Sequence, residues 1–128
     1  MKYLCLIYGD ESAWQSRPQQ DLDAMTAEYL EYTRKYRQTG HILGGDALLP
    51  TGSATTIRVR DGKMSTTDGP FAETREQLAG YYLIEARDLN EAIQVASGIH
   101  GAKTGSIEVR PIRSMPQFEP LYQQAVTA

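Results

Sequence analysis

The chain from Asp68 to Ile84 reads DGPFAETREQLAGYYLI and joins a tight turn to a strand. Gly69 accepts a positive φ without steric cost, and Pro70 fixes its own φ while keeping Gly69 out of the right-handed helical region. The carboxylate of Asp68 can cap such a turn by accepting backbone hydrogen bonds. Residues 78–86 are apolar at most positions, which is typical of a strand covered on both faces. The stretch therefore predicts an ordered turn that leads into a central strand.

The charged side chains between this turn and the strand allow two interpretations. Glu73, Arg75 and Glu76 fall within one loop or one short helical turn. They either form a solvated surface, or the loop presents Asp68, Glu73 or Arg75 into a pocket while Phe71 anchors the loop to the core. Binding residues are often carried by loops on a rigid scaffold, so both interpretations stay open.

The rest of the chain alternates between strand and helix patterns. Apolar residues at three- and four-residue steps predict a helix over about residues 19–39, and a capping box that starts at Asp88 predicts a second helix ending at Gly98 or Gly101. The Asp61-Gly62 pair predicts a hairpin turn. Strands are expected at residues 2–8, 41–49, 55–60, 63–67, 78–86 and 107–112, with a glycine pair at residues 44–45 that marks a bulge or a close backbone approach, and a loop at residues 13–18.

The order of these elements predicts the architecture. A β-α-β unit, a hairpin and a second β-α-β unit together give an α+β, ferredoxin-like βαββαβ fold with an inserted β-hairpin. Such a fold has both helices on one face of its sheet, yet the strands at residues 2–8 and 78–86 are apolar on both faces. A soluble monomer rarely exposes an apolar face of that size. We therefore expect a homodimer in which two sheets pack face to face as a dimeric α+β barrel.

Composition limits the classes of function. The 128 residues fit one domain, and 41% hydrophobic with 23% charged residues is typical of a soluble globular protein. The net charge of −3 argues against a nucleic-acid-binding face, and no apolar run is long enough to cross a membrane. The single cysteine, Cys5, cannot form an internal disulfide, so a cytoplasmic location is expected. One cysteine and two histidines cannot form a zinc cluster, and we predict no metal site and no cofactor.

The predicted domain covers residues 1–113, and residues 114–128 form a C-terminal tail. The tail carries more apolar side chains than a solvated segment would hold, so we expect it to pack on the domain or on a partner subunit. These side chains are Met115, Phe118, Leu121, Tyr122 and Val126.

Residues 68–82 resemble the signature of the YCII-related family, in its DGPF-domain branch, and the similarity extends over about residues 1–112. The resemblance implies the dimeric ferredoxin-like fold and a His-Asp pair, suggested as catalytic, in a pocket at the dimer interface. Asp68 matches the aspartate of that pair by its place in the motif. The histidine is expected in the first helix, where this chain has Met25, Glu28 and Tyr29. The branch is also associated with extracytoplasmic-function sigma factors, which implies a regulatory role.

His41, just after the first helix, could replace the missing histidine. A catalytic histidine needs a carboxylate partner, which Asp68 or Asp46 could supply. The alternative is a surface histidine at a helix C-terminus, where the helix dipole favours its cation. The predicted catalytic residues are therefore Asp68 and His41, and the predicted ligand-binding residues are Asp46, Phe71, Glu73, Arg75 and Tyr81.

Three functions remain open. The first is a homodimer that binds a small molecule in a pocket near the dimer interface, as a binding protein or a weak enzyme with Asp68 as acid/base or ligand anchor. The second is an accessory protein that acts with an extracytoplasmic-function sigma factor through its hairpin and tail. The third is an active cofactor-free enzyme, which only fold analogy supports and which therefore ranks last.

Overall fold

The structure is a computed structural model that describes residues 1–127 of the chain. Strands and helices alternate along the sequence in the predicted order. The strands are β1 (Lys2–Gly9), β2 (Ile42–Ala47), β3 (Thr55–Arg60), β4 (Lys63–Asp68), β5 (Gln77–Glu85) and β6 (Ser106–Pro111). The helices are α1 (Glu11–Gln15), α2 (Gln19–Gln38), α3 (Leu89–Ser97), α4 (Gly101–Thr104) and α5 (Glu119–Thr127), and a 3₁₀ turn covers Thr51–Ser53.

Four of the strands form one antiparallel sheet in the order β2-β5-β1-β6. With α2 between β1 and β2, and α3 between β5 and β6, this is the ferredoxin-like βαββαβ arrangement. The two remaining strands, β3 and β4, pair only with each other as a separate two-stranded sheet. Asp61 and Gly62 form their turn with φ of 52° and 73°, the paired positive φ values of a type I′ hairpin. The predicted α+β fold with an inserted hairpin is confirmed.

The two faces of the sheet differ in burial. One face packs against α2 and α3, and its side chains in β1 and β5 are buried; these include Tyr3, Cys5, Ile7, Tyr82 and Ile84. The alternate positions are only partly buried; these include Leu4, Leu6, Tyr8, Tyr81 and Leu83. Burial of the Cys5 thiol raises its pKa to about 11, as expected for an inert core cysteine. The sheet therefore has a face that its own helices leave uncovered, apolar in β1 and β5 and charged at Glu108 and Arg110 of β6.

Hydroxyl groups hold α2 in place on the sheet. The Tyr32 hydroxyl donates to the Val95 carbonyl of α3 at 2.7 Å, and the hydroxyls of Thr33 and Tyr82 are 2.6 Å apart. The Gly101 N–H donates to the Tyr29 hydroxyl at 3.0 Å. These bonds satisfy polar groups that are buried or partly buried and fix the position of α2 on the sheet.

The N-terminus of α3 has the predicted cap at Asp88, and the Glu91 side chain reaches back one residue farther than in a standard capping box. The Glu91 N–H donates to Asp88 Oδ1 at 2.9 Å, and the Arg87 N–H donates to Glu91 Oε1 at 3.0 Å. The helix ends at Ser97, with Gly98 as its C-terminal cap. The sequence signal at Asp88 therefore marks the helix start correctly.

Replacing Asp88 by alanine will lower the free energy of unfolding by about 1 kcal/mol, because the Glu91 N–H loses its acceptor. Chemical denaturation followed by circular dichroism measures this change. Asp88→Ser is the matched control, since serine is also a good N-cap and should retain most of the stability. Equal stability of the alanine variant and the wild type would show that the cap contributes nothing.

Helices α1, α4 and α5 differ from expectation or go beyond it, and α4 was not predicted as a separate helix. Residues 11–15 form helix α1 rather than a loop, because Asp10 caps them by accepting from the Ser12 N–H at 3.0 Å. In the tail, Glu119–Thr127 form helix α5, whose side chains are all exposed; Ala128 lies outside the described residues. In the described part of the chain, no helix combines the length and the apolar character that a membrane crossing requires.

Candidate functional site

A cleft of about 610 Å³ lies between α2, α1 and the β2–β5 side of the sheet. Its floor consists of small residues, Gly45, Ala47 and Gly80, which point toward α2 because they pair with Tyr82, Gly80 and Ile7 on the helix-facing side. Its roof is formed by the α2 side chains Met25, Thr26, Tyr29, Leu30 and Thr33. The cavity exists because the floor residues lack long side chains.

The glycines of the floor allow a close approach of two strands. A Cβ atom at Gly45 would lie 2.7 Å from the Tyr81 carbonyl oxygen and 2.8 Å from Tyr82 Cδ1, and one at Gly80 would lie 2.8 Å from the Asp46 carbonyl oxygen. A register shift between Ile42 and Gly44 adds a bulge to the same strand pair. The glycine pair in β2 therefore marks both a bulge and a close backbone approach, the two features that the sequence predicted as alternatives.

Helix α1 closes one end of the cleft. The Thr51 N–H and hydroxyl donate to the two carboxylate oxygens of Glu11, at 2.7 and 2.8 Å, and the Glu11 N–H donates to Gln77 Oε1 at 3.0 Å. These bonds occupy the Glu11 carboxylate and hold the wall in place. Trp14 of α1, the only tryptophan in the chain, also lines the cleft and lies near Gly9.

Two of the predicted ligand-binding residues meet at this edge of the sheet. The Tyr81 hydroxyl donates to Asp46 Oδ2 at 2.7 Å, and both residues contribute to the cleft wall. The hydrogen bond to the Asp46 carboxylate raises the pKa of Tyr81, so the phenol stays protonated. Strand alternation puts the Tyr81 side chain on the face opposite Tyr82, so the pair borders the uncovered face of the sheet.

The opposite end of the cleft carries Arg37, which sequence analysis did not single out. Arg37 Nη1 donates to the Leu43 carbonyl at 3.4 Å, and Arg37 forms no ion pair with any other residue in the described range. It is the only lysine or arginine among the described residues that line the cleft. The only sequence signal for Arg37 as a cleft residue is its position on α2, twelve residues after Met25 and on the cleft-lining side of the helix.

The Asp68 loop lies outside the cleft of its own chain. Asp68 is the last residue of β4 and pairs with Thr55, and its side chain is exposed. Phe71 is 79% exposed and therefore does not anchor the loop to the core; Glu73 and Arg75 are exposed as well. The loop is held by its backbone instead, since the Gly69 N–H donates to the Ala54 carbonyl at 2.7 Å and Gly69 takes a φ of 98°.

His41 has partners that the sequence did not predict. Its Nδ1 shares a hydrogen bond with the Thr39 hydroxyl at 2.7 Å, and its Nε2 lies 3.2 Å from Glu91 Oε1. These residues border a second, polar cavity of about 320 Å³. Within residues 1–127 the structure does not bring His41 and Asp68 together by a hydrogen bond or an ion pair.

The other histidine, His100, lies against the helix in which the family resemblance implied one. Its Nδ1 bonds to Glu28, and its ring packs edge-on to Tyr29 with centroids 5.9 Å apart. Lys103 Nζ donates to the second Glu28 oxygen at 3.0 Å. Hydrogen bonds from Lys103 and then His100 lower the pKa of Glu28. Glu28, His100 and Lys103 tie α2 to α4 and do not line the cleft, whereas Tyr29 does.

Comparisons with known proteins show which sequences the chain is similar to. The family model for the YCII-related domain matches residues 1–116. An uncharacterized protein of Rhizobium meliloti (strain 1021) is 39% identical over 114 residues, which cover 88% of this chain and 92% of that protein. The match therefore extends over both the cleft and the Asp68 loop.

Proposed function

The chain belongs to the YCII-related family, and from that premise we propose that it is a homodimer that binds a small molecule in the cleft between α2 and the sheet, near the dimer interface. The observation that carries this proposal is the cleft itself, a preformed cavity of about 610 Å³ with a floor of small residues. Cavities of roughly 300–1,000 Å³ with apolar walls and a few polar groups are typical of small-molecule sites. The Asp68-Gly69-Pro70-Phe71 motif supports assignment to the DGPF-domain branch.

The uncovered sheet face supports the dimer. Leu4, Leu6 and Leu83 lie together on that face, and helix α5 presents further exposed apolar side chains, including Leu121 and Val126. Apolar surfaces of this extent generally mark an interface. We assign the second copy of the chain as their cover, sheet against sheet and with the tail packed on the partner.

A chemical role for Asp68 depends on this dimer. In the single chain its side chain is exposed and outside the cleft, so Asp68 can act as acid/base or ligand anchor only if the second copy brings its loop to a cleft. The 79% exposure of Phe71 on the same loop favours such a contact, since an apolar ring in water gains by burial. We therefore propose weak enzymatic activity only for a dimer in which the Asp68 loop of one copy reaches a cleft.

A second candidate function is an accessory role with an extracytoplasmic-function sigma factor. The β3–β4 hairpin favours it, because Ile57, Val59 and Met64 are 63%, 59% and 69% exposed. Arg58 and Lys63 add positive charge on the opposite face of the same hairpin. Loss of sigma-factor capture when Val59 and Met64 are both replaced by serine would support this role, and capture that survives the change would count against it.

Tryptophan fluorescence tests the cleft directly, since Trp14 is the only tryptophan and lines the cavity. We expect neutral and anionic aryl and alkyl compounds, with 4-phenylbutanol as the reference, to change Trp14 emission and raise the midpoint of thermal unfolding. Ala47→Phe, which fills the exposed floor position, should weaken binding at least about tenfold by occupying ligand volume.

The matched control is Thr66→Phe, which adds the same ring at an exposed strand position remote from the cleft. It should bind like the wild type. If no compound in the panel changes Trp14 emission of the wild type, or if Ala47→Phe binds as tightly as Thr66→Phe, the proposed binding site is wrong.

A further inference from the structure

We infer that the cleft takes a monocarboxylate with an apolar body, its carboxylate bound by Arg37 and its body lying along α2 toward Trp14. This inference rests on the proposed function and adds the chemical class of the ligand. It follows from the donors and acceptors that line the cleft and from their spacing.

The guanidinium of Arg37 has unused hydrogen-bonding capacity. Its one hydrogen bond, to the Leu43 carbonyl, is long at 3.4 Å, whereas a guanidinium carries five N–H donors. Its side chain is exposed at the cleft rim, and no carboxylate in the described part of the chain pairs with it. The planar N–H fork matches the two oxygens of a carboxylate.

The two acidic residues that line the cleft each accept internal hydrogen bonds. Glu11 accepts from the Thr51 N–H and hydroxyl, and Asp46 accepts from the Tyr81 hydroxyl at 2.7 Å. A cationic ligand would therefore have to compete with these internal donors. Among the charged residues of the cleft, the unmatched groups are the donors of Arg37, which favours a ligand that brings an anionic acceptor.

The spacing along α2 sets the size of the ligand. Leu30 lies seven residues before Arg37, and seven residues at 1.5 Å each separate them by about 10 Å along the helix axis. The apolar roof continues from Leu30 to Met25, with Trp14 on the end wall. An aryl-alkyl or medium-chain acid of about 10 Å spans this distance.

The number of cations limits the charge of the ligand. Arg37 is the single lysine or arginine among the described cleft-lining residues, while Glu11 and Asp46 contribute negative charge. A phosphate monoester or a dicarboxylate would leave one charge uncompensated near these acids. A monocarboxylate is the anion that this arrangement can neutralise.

Paired titrations of Trp14 fluorescence with 4-phenylbutyrate and 4-phenylbutanol test the inference, because the two compounds differ only in the anionic group. We expect the wild type to bind the acid at least about tenfold more tightly than the alcohol, as a charge-assisted bidentate bond implies. Arg37→Gln should remove this preference and leave alcohol binding unchanged. Arg37→Lys keeps the positive charge but lacks the planar pair of N–H donors, so it should retain part of the preference for the acid.

Arg34→Gln is the matched control, because Arg34 lies on the same helix but pairs with Glu31 and does not line the cleft. Arg34→Gln should keep the full preference for the acid over the alcohol. Equal affinity of the wild type for acid and alcohol, or a preference that survives Arg37→Gln, would overturn the carboxylate inference while leaving the cleft as a binding site. Failure of both compounds and of the wider panel to change Trp14 emission would overturn the proposed function as well.

Discussion

We expect the Leu6→Glu variant to have the mass of one chain at micromolar concentration, where the proposed dimer has the mass of two. Leu6 lies at the centre of the uncovered sheet face, between Tyr81 of β5 and Glu108 of β6. In the proposed dimer a glutamate there would be buried beside the Glu108 carboxylate, and the neighbouring Arg110 is already paired with Glu108. An unpaired buried charge costs about 3–5 kcal/mol, which corresponds to a loss of at least about 100-fold in the dimerisation constant. Sedimentation velocity or light scattering measures the change in mass.

The matched control is Ile93→Glu. Ile93 is 48% exposed on α3, so the same replacement on the helical side of the domain should leave the two-chain mass unchanged. A wild type that already has the mass of one chain would contradict the dimer itself. A Leu6→Glu variant that keeps the mass of two chains would show that the partner packs on another surface, such as helix α5.

The fold was predictable because its signals are local. The apolar runs of β1 and β5, the capping box at Asp88 and the turn pair Asp61-Gly62 each act within a few residues of sequence, and each gives the predicted element. Helix α1, which the sequence analysis assigned to a loop, spans only five residues and depends on a cap at Asp10 that has no apolar periodicity behind it. Short helices lack the repeat that sequence reasoning needs.

The candidate site was less predictable because its contacts join distant residues. The sequence identified Asp46 and Tyr81 as ligand-binding candidates, and the structure brings these two together across 35 residues. It could not show that His41 would meet Glu91 rather than Asp68, since those partners are 50 residues apart. Motif similarity indicates which residue types recur, but the distances between them are set by the packing of the sheet and helices.

The free face of the sheet connects the two parts of the proposal. The Asp46–Tyr81 pair borders both that face and the cleft, so a second copy packed there would lie next to the ligand. The same packing would bury the exposed loop that carries Phe71 if that loop faces the partner. Dimerisation and ligand binding are then expected to be coupled, with each stabilising the other by mass action.

Replacing Gly45 by alanine will destabilise the protein by about 1–3 kcal/mol, and the same change at the adjacent Gly44 will cost less than about 0.5 kcal/mol. At Gly45 the added methyl group would lie 2.7 Å from the Tyr81 carbonyl oxygen and 2.8 Å from Tyr82 Cδ1, so β2 and β5 must separate. That shift also disturbs the bond between the Tyr82 and Thr33 hydroxyls, which holds α2 above the cleft.

Gly44 is the internal control because a methyl group added there meets no atom within 4 Å, and neither glycine has a positive φ. The two variants therefore differ in packing, not in backbone strain. For a chain of this length, we expect thermal unfolding to begin about 4–12 °C lower in Gly45→Ala and nearly unchanged in Gly44→Ala. Since Gly45 forms the cleft floor, its variant should also bind 4-phenylbutanol more weakly. Equal stability of the two variants would mean that the strands can separate freely, and a floor that yields in this way could not keep the cavity preformed.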